Sequence, residues 1–154
     1  MIKEFFVLTE EERNVIMDTP ALITILIAGA DGKIDEKEKE WAYKVKVFRS
    51  SKEDSRLSSY FTEVGGIFND RLEELIDELP DNIGERNSKI TSELEKLNNI
   101  LPKLDKTYAV EFYKNMLSYA EQIAKASGGV LGFSPISPEE RKWLGLEFIK
   151  DPSL

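Results

Sequence analysis

The sequence predicts an all-α fold, built as a single compact domain of about seven helices. Apolar residues recur at intervals of three and four along most of the chain. No segment alternates apolar and polar residues with the period of two that is typical of a half-buried strand. With 154 residues, of which 41% are hydrophobic, the chain is long enough to bury one sizeable core.

The first two helices are predicted from a capping box and a proline. Thr9 and Glu12 can each satisfy a backbone N–H at the start of a helix, which we predict to run to about Asp18. Pro20 suits the first turn of a second helix over residues 20–30. This second helix is apolar on nearly every face, so we expect it at the centre of the fold.

Two further helices are predicted before the middle of the chain. Asp35 and Glu38 form a second capping box, which begins a charged helix that ends near residue 50. Residues 53–79 have a helical pattern, with a predicted break at the glycine pair 65–66. The turn at Pro80 is the expected midpoint of the domain.

The second half of the chain predicts three more helices. Residues 82–101 have apolar residues at coiled-coil-like spacing, so this helix is expected on the outside of the bundle or in a homodimer contact. A long helix follows over residues 106–127. Ser137 and Pro138 begin the last predicted helix, which ends near Lys150.

An internal repeat suggests that the domain, residues 1–154, has two related halves of about 1–80 and 81–154. Ile34 precedes Trp41 by seven residues, and Ile136 precedes Trp143 by the same interval. The predicted helices 20–30 and 106–127 would be the equivalent central pair of a pseudo-twofold arrangement. The two tryptophans would then anchor the core of each half.

Composition excludes several classes of function. The formal net charge of -8 opposes binding to nucleic acids and to anionic lipid surfaces. The chain has no cysteine and no histidine, which excludes disulfides, thiolate chemistry and imidazole-based catalysis or zinc binding. The longest apolar run, residues 21–30, is too short to span a bilayer. We expect a cytoplasmic protein that is not inserted in a membrane.

The most informative motif is an acidic turn that contains Asp31, Gly32, Asp35 and Glu38. It matches the second half of an EF-hand loop, but the positions of the first ligands fall on residues without side-chain oxygens, so a true EF-hand is excluded. Two interpretations stay open. The acidic residues cap a helix, or they form a reduced carboxylate site for a hard divalent cation such as Ca²⁺.

The segment over residues 27–38, Ile-Ala-Gly-Ala-Asp-Gly-Lys-Ile-Asp-Glu-Lys-Glu, resembles the signature of the TerB-like, tellurite-resistance family. The resemblance implies an all-helical, duplicated fold, a divalent-cation site made of acidic residues, and a role in stress-response assemblies near membranes. The site residues that it implies are Asp31, Asp35 and Glu38, with Glu140 in the second copy. That copy departs from the pattern, since Ser127 and Ser137 stand where aspartates are expected.

The sequence therefore predicts a non-enzymatic helical module that binds Ca²⁺ or another divalent cation weakly and contacts protein partners. The alternative is a metal-independent helical adaptor whose acidic turn is only a helix cap. A homodimer through helix 82–101 is compatible with either. A metal-dependent hydrolase would need a second acidic cluster or a nucleophile motif, and the sequence has neither.

Overall fold

The computed structural model describes residues 2–29, 56–128 and 143–154, and over these ranges the chain consists of helices and turns without strands. The prediction of an all-α fold is confirmed for this part of the chain. The α-helices are α1 (Glu10–Ala28), α2 (Ser58–Glu78), α3 (Ile83–Glu95), α4 (Leu97–Ile100) and α5 (Lys106–Gly128). Two 3₁₀ helices, Lys3–Val7 and Leu101–Lys103, precede α1 and follow α4. The helix predicted to begin at Asp35 lies outside the described residues.

Helix α1 is one continuous helix, so the predicted separation between Asp18 and Pro20 is wrong. The predicted capping box at its start is confirmed, with both bonds between Thr9 and Glu12 present. Pro20 lies inside the helix, where it has no N–H to donate to the carbonyl of Ile16. The buried Tyr60 hydroxyl of α2 donates to that carbonyl instead, at 2.7 Å.

Helix α2 also continues through its predicted break at Gly65 and Gly66. Each glycine in a helix interior costs about 1 kcal/mol relative to alanine. Burial of an apolar stripe before and after the pair offsets this cost, and the stripe consists of Tyr60, Phe61, Val64, Phe68, Leu72 and Leu75.

Arg71 on the same helix binds both carboxylate oxygens of Asp18 in α1, at 2.9 and 2.7 Å.

The predicted helix over residues 82–101 is divided at Lys96 into α3, α4 and a 3₁₀ turn. Its apolar stripe is buried within the chain at Ile90, Leu94, Leu97 and Leu101, while Ile83 is partly exposed. The apolar stripe that we predicted for a homodimer contact is thus buried in the core of the same chain, apart from Ile83.

The predicted helix over residues 106–127 is confirmed as α5, which packs against α1. The hydroxyl oxygens of Thr24 in α1 and Tyr119 in α5 are 2.8 Å apart and share a buried hydrogen bond. The two helices predicted as a central pair are therefore in direct contact.

The last predicted helix does not extend to Lys150, because residues 143–150 form turns. Leu146 has a positive φ of 43°, which is unfavourable for a side chain of this size. Its side chain is nevertheless fully buried, and the free energy gained from this burial offsets the cost of the positive φ. A positive φ does not occur within a right-handed helix, so the helix cannot continue through Leu146. Trp143 is half-buried and packs edge-on against Phe148, with ring centroids 6.3 Å apart.

An aromatic cluster joins the N-terminal 3₁₀ helix to α2 and α5. The Phe5 ring makes edge-to-face contacts with Tyr60 and Tyr108, and Tyr60 makes another with Phe112. Such contacts add to the stabilisation from apolar burial.

In the described ranges, no helix combines the length and the apolar character needed to cross a membrane.

Candidate functional site

The four residues predicted to bind a cation, Asp31, Asp35, Glu38 and Glu140, lie outside the described residues. Trp41 also lies outside them. The structure does describe the chain that leads into the acidic turn. Helix α1 ends at Ala28, and Gly29 is its C-cap.

The end of α1 is held by a contact from α3. The Arg86 guanidinium donates through Nη2 to the carbonyl of Gly29. This contact satisfies one of the carbonyls that a helix C-terminus leaves without a donor, and it places a positive charge where the helix dipole favours one. Burial lowers the pKa of Arg86, and the negative charge of Asp81 opposes that shift.

Gly29 is required by close packing rather than by an unusual backbone conformation. Its φ is −88°, which any residue can adopt. A Cβ atom at this position would lie 2.5 Å from the Ile25 carbonyl oxygen and 2.9 Å from Arg86 Nη2. The glycine therefore allows α3 to approach the end of α1.

These contacts bear on the predicted cation site. The Gly29 carbonyl accepts from a guanidinium, whose positive charge opposes the binding of a cation to the same oxygen. Across the ranges that the structure describes, no group of three or more Asp or Glu side chains is placed to hold a metal ion. Any cation site at the turn must therefore rely on the residues from Asp31 onward.

A second candidate site, which the sequence did not suggest, is a half-open cavity of about 570 Å³. It lies between α4, the following 3₁₀ turn, the start of α5 and the last residues of the chain, and we call it the C-terminal cavity. Its lining residues are Leu97, Asn98, Leu101, Pro102, Leu104, Lys106, Ala109, Lys150, Asp151, Pro152 and Leu154.

One wall of the C-terminal cavity is fastened by the side-chain amide of Asn98. Its Nδ2 donates to the Phe148 carbonyl at 3.0 Å, and its Oδ1 accepts from the Lys150 N–H at 2.7 Å. Leu146 and Ile149 anchor the same segment because their side chains are buried in the core. The wall is thus held by both hydrogen bonds and apolar contacts.

The residues that line this cavity include three charged ones, Lys106, Lys150 and Asp151. Lys106 and Lys150 are exposed, and neither forms an ion pair with another described residue. Asp151 accepts two hydrogen bonds from Ser153, at 2.8 and 2.7 Å. Those bonds, together with the charge of Lys114, lower the pKa of Asp151. The negative charge of this carboxylate is therefore stabilised by its own neighbours.

Sequence reasoning missed this cavity because it predicted a helix where the chain forms the wall. No local motif indicates that Asn98 binds the backbone of residues fifty positions later, since such contacts arise only in the folded chain.

No family model, curated protein or solved structure matches this chain. The described part of the chain is an all-helical bundle. Its two candidate sites are the end of α1, where Arg86 binds the Gly29 carbonyl, and the half-open C-terminal cavity.

Proposed function

We propose that the chain is a non-enzymatic, cytoplasmic helical module of the TerB-like kind. It binds a divalent cation weakly through Asp31, Asp35 and Glu38, with Glu140 as the remnant of a second site, and it contacts protein partners in a stress-response assembly. Its complete fold would be the seven-helix, pseudo-twofold bundle that the repeat suggests. The contact between Thr24 and Tyr119 supports the central helix pair of such a bundle.

The observation that carries the proposal is the anchoring of Gly29 by Arg86. It fixes Gly29, the last described residue before the acidic motif, against α3, so this residue has less conformational entropy to lose when a cation binds. If each carboxylate binds through one oxygen, the three side chains and the Lys33 backbone carbonyl would supply about four of the six to eight oxygens that Ca²⁺ takes, and water would complete the shell. The affinity should accordingly be weak.

The second candidate is an adaptor that binds no ion. The contact between Arg86 and Gly29 also supports this candidate. Arg86 already occupies the Gly29 carbonyl, which reduces the number of oxygens available to a cation. In that case Asp35 and Glu38 act only as a capping box.

A protein partner would meet mainly acidic surface. Helix α2 exposes a set of carboxylates, namely Asp70, Glu73, Glu74, Asp77 and Glu78. Charge complementarity favours a basic partner and fast association at low ionic strength. A homodimer through residues 82–101 would have to use Ile83 and the polar faces of α3, because the rest of the apolar stripe is buried.

Calorimetric titration with Ca²⁺, Mg²⁺ and Mn²⁺ tests cation binding. We expect saturable heat at millimolar ion for the unmodified chain and for Asp70→Ala, and none for Asp31→Ala. Asp70 is a matched control, since it is an exposed aspartate on α2. Absence of heat at millimolar concentrations, or equal binding by Asp31→Ala, would contradict the cation site.

Chemical denaturation of Asp35→Ala separates the two candidates. The adaptor predicts a loss of about 1 kcal/mol in the free energy of unfolding, the same with and without divalent ions. The cation site predicts a loss that grows when the ion is present, because binding stabilises only the unmodified folded chain.

A further inference from the structure

We propose that Arg86 is the internal counter-charge of the acidic turn. Its guanidinium attracts the Asp31 carboxylate when no ion is bound, and it opposes a divalent cation that binds there. Arg86 thus sets the cation affinity of the turn. Its effect on a cation rests on the cation site proposed above, whereas its attraction for Asp31 needs no ion.

The guanidinium of Arg86 lies against the backbone at the end of α1. Its Nη2 donates to the Gly29 carbonyl. A Cβ atom built on Gly29 would lie 2.9 Å from Nη2 and 3.3 Å from the central carbon of the guanidinium. The dipole of α1 favours a positive charge at this end of the helix. The position of the charge is therefore determined by the described part of the chain.

Chain connectivity brings Asp31 close to this charge. Consecutive Cα atoms are about 3.8 Å apart, so the Cα atom of Asp31 lies at most about 7.6 Å from that of Gly29, whatever the conformation between them. No comparably short limit applies to Asp35 and Glu38. The pairing is accordingly assigned to Asp31.

The charge of Arg86 acts over this distance at low ionic strength. The Debye length is about 30 Å at 0.01 M salt and about 3 Å at 1 M. At about 10 Å in water with 0.01 M salt, a unit charge changes the binding constant of a divalent cation about threefold. Arg86 is half-buried, so solvent screens its charge less than that of an exposed lysine. Asp81 also acts on Arg86 and offsets part of its charge.

Calorimetric titration of Arg86→Gln and Arg86→Lys with Ca²⁺ tests the opposition to a cation. Both substitutions remove the guanidinium, and only the lysine keeps a positive charge. At about 0.01 M salt we expect Arg86→Gln to bind Ca²⁺ about threefold more tightly than Arg86→Lys does, and at about 1 M salt the difference should vanish. Equal Ca²⁺ affinities of the two variants at low salt would overturn the proposal.

Lys106→Gln is the matched control, because it removes the same charge near the other end of α1. Lys106 is exposed at the start of α5, where the ring of Tyr108 contacts that of Phe5 just before α1 begins. Helix α1 has 19 residues and is about 28 Å long. The Ca²⁺ affinity of this control should stay close to that of the unmodified chain. An increase as large as that of Arg86→Gln would show an effect of net charge alone and would overturn the proposal.

A double-mutant cycle in a chelator tests the attraction for Asp31 without any divalent ion. Urea denaturation is measured for Arg86→Gln, Asp31→Asn and the double variant at low salt. We expect Arg86→Gln to change the unfolding equilibrium constant about threefold less when Asp31 is already replaced. Asp70→Asn is the control, since Asp70 is an exposed aspartate on α2, and its effect should add to that of Arg86→Gln.

The two experiments separate the role of Arg86 from the existence of the cation site. If no divalent ion gives heat, the cation site is rejected, and coupling in the cycle still supports Arg86 as the counter-charge of Asp31. If a cation binds but Arg86→Gln and Asp31→Asn are additive, the cation site stands and the role of Arg86 is rejected.

Discussion

The Tyr60 hydroxyl donates to the Ile16 carbonyl at 2.7 Å, and this is the carbonyl that Pro20 leaves without its helical donor. A side chain from α2 thus repairs the hydrogen-bond ladder of α1 at the position where proline interrupts it. An interior proline costs about 3 kcal/mol or more in a helix, and an unsatisfied buried carbonyl would add to that cost. The pair explains why α1 continues through a residue that normally ends a helix.

Tyr60→Phe should lower the free energy of unfolding by about 1–3 kcal/mol, because the buried Ile16 carbonyl would lose its donor. Adding Pro20→Ala should recover part of that loss, since the alanine N–H can donate to the same carbonyl. Urea denaturation of the two single variants and the double variant forms a complete cycle. If the two effects were simply additive, the repair of α1 by Tyr60 would be disproved.

Tyr113→Phe serves as the control for this cycle. Tyr113 is half-buried on α5, and its hydroxyl forms no hydrogen bond with another described residue, so its replacement leaves the Ile16 carbonyl unchanged. Its effect on the free energy of unfolding should be small.

Substitution by alanine should change the free energy of unfolding in opposite directions at Gly29 and at Gly66. Gly29→Ala places a methyl group 2.5 Å from the Ile25 carbonyl oxygen, so it should destabilise the fold by about 1–3 kcal/mol. Gly66→Ala meets no atom within 4 Å and lies inside α2, so it should stabilise the fold by about 0.5–1 kcal/mol. Thermal and urea denaturation measure both. Equal effects of the two substitutions would show that a Cβ atom fits at Gly29.

Arg71→Lys should weaken the connection between α1 and α2. Arg71 binds Asp18 through two nitrogens and Glu74 through a third, and an ammonium group cannot reproduce that planar geometry. We expect a loss of about 1 kcal/mol in the free energy of unfolding, reduced at high salt. Arg56→Lys is the control, because Arg56 forms a single exposed ion pair with Glu111 at 3.8 Å.

Alkaline pH should unfold the chain through its buried tyrosines. Burial raises the pKa of Tyr60 and Tyr108 above the usual value of 10.0. The folded state thus keeps these protons while the unfolded chain releases them, so stability is complete below about pH 10 and falls as the pH rises above it. Tyrosinate absorbance during a pH titration should rise together with the loss of helical circular dichroism.

Tyr108→Phe isolates one of these two groups. The Tyr108 hydroxyl is buried and has no hydrogen-bond partner among the described residues. The substitution should raise the free energy of unfolding at neutral pH by about 1 kcal/mol and move the alkaline transition to higher pH. A destabilised variant with an unchanged alkaline transition would contradict this account.

Prediction from sequence was most accurate where the signal was local. The capping box at Thr9 and the long helix that became α5 both depend on residues within a few positions of each other. Prediction failed where tertiary packing changed the outcome, as the Tyr60 hydroxyl does at Pro20 and as burial of the α2 stripe does at Gly65 and Gly66. The acidic turn stays a prediction because its residues lie outside the described ranges.

The sequence by itself determined the all-helical class of the described part and most helix starts, because backbone capping and apolar periodicity act within a few turns. Only the tertiary structure decided that α1 is continuous, that Gly29 is held by Arg86, and that Asn98 fastens the wall of a cavity. Each of these depends on side chains far apart in sequence that satisfy one another's polar groups as water is excluded. No local pattern can specify such a contact, because its partners are chosen by the packing of the whole chain.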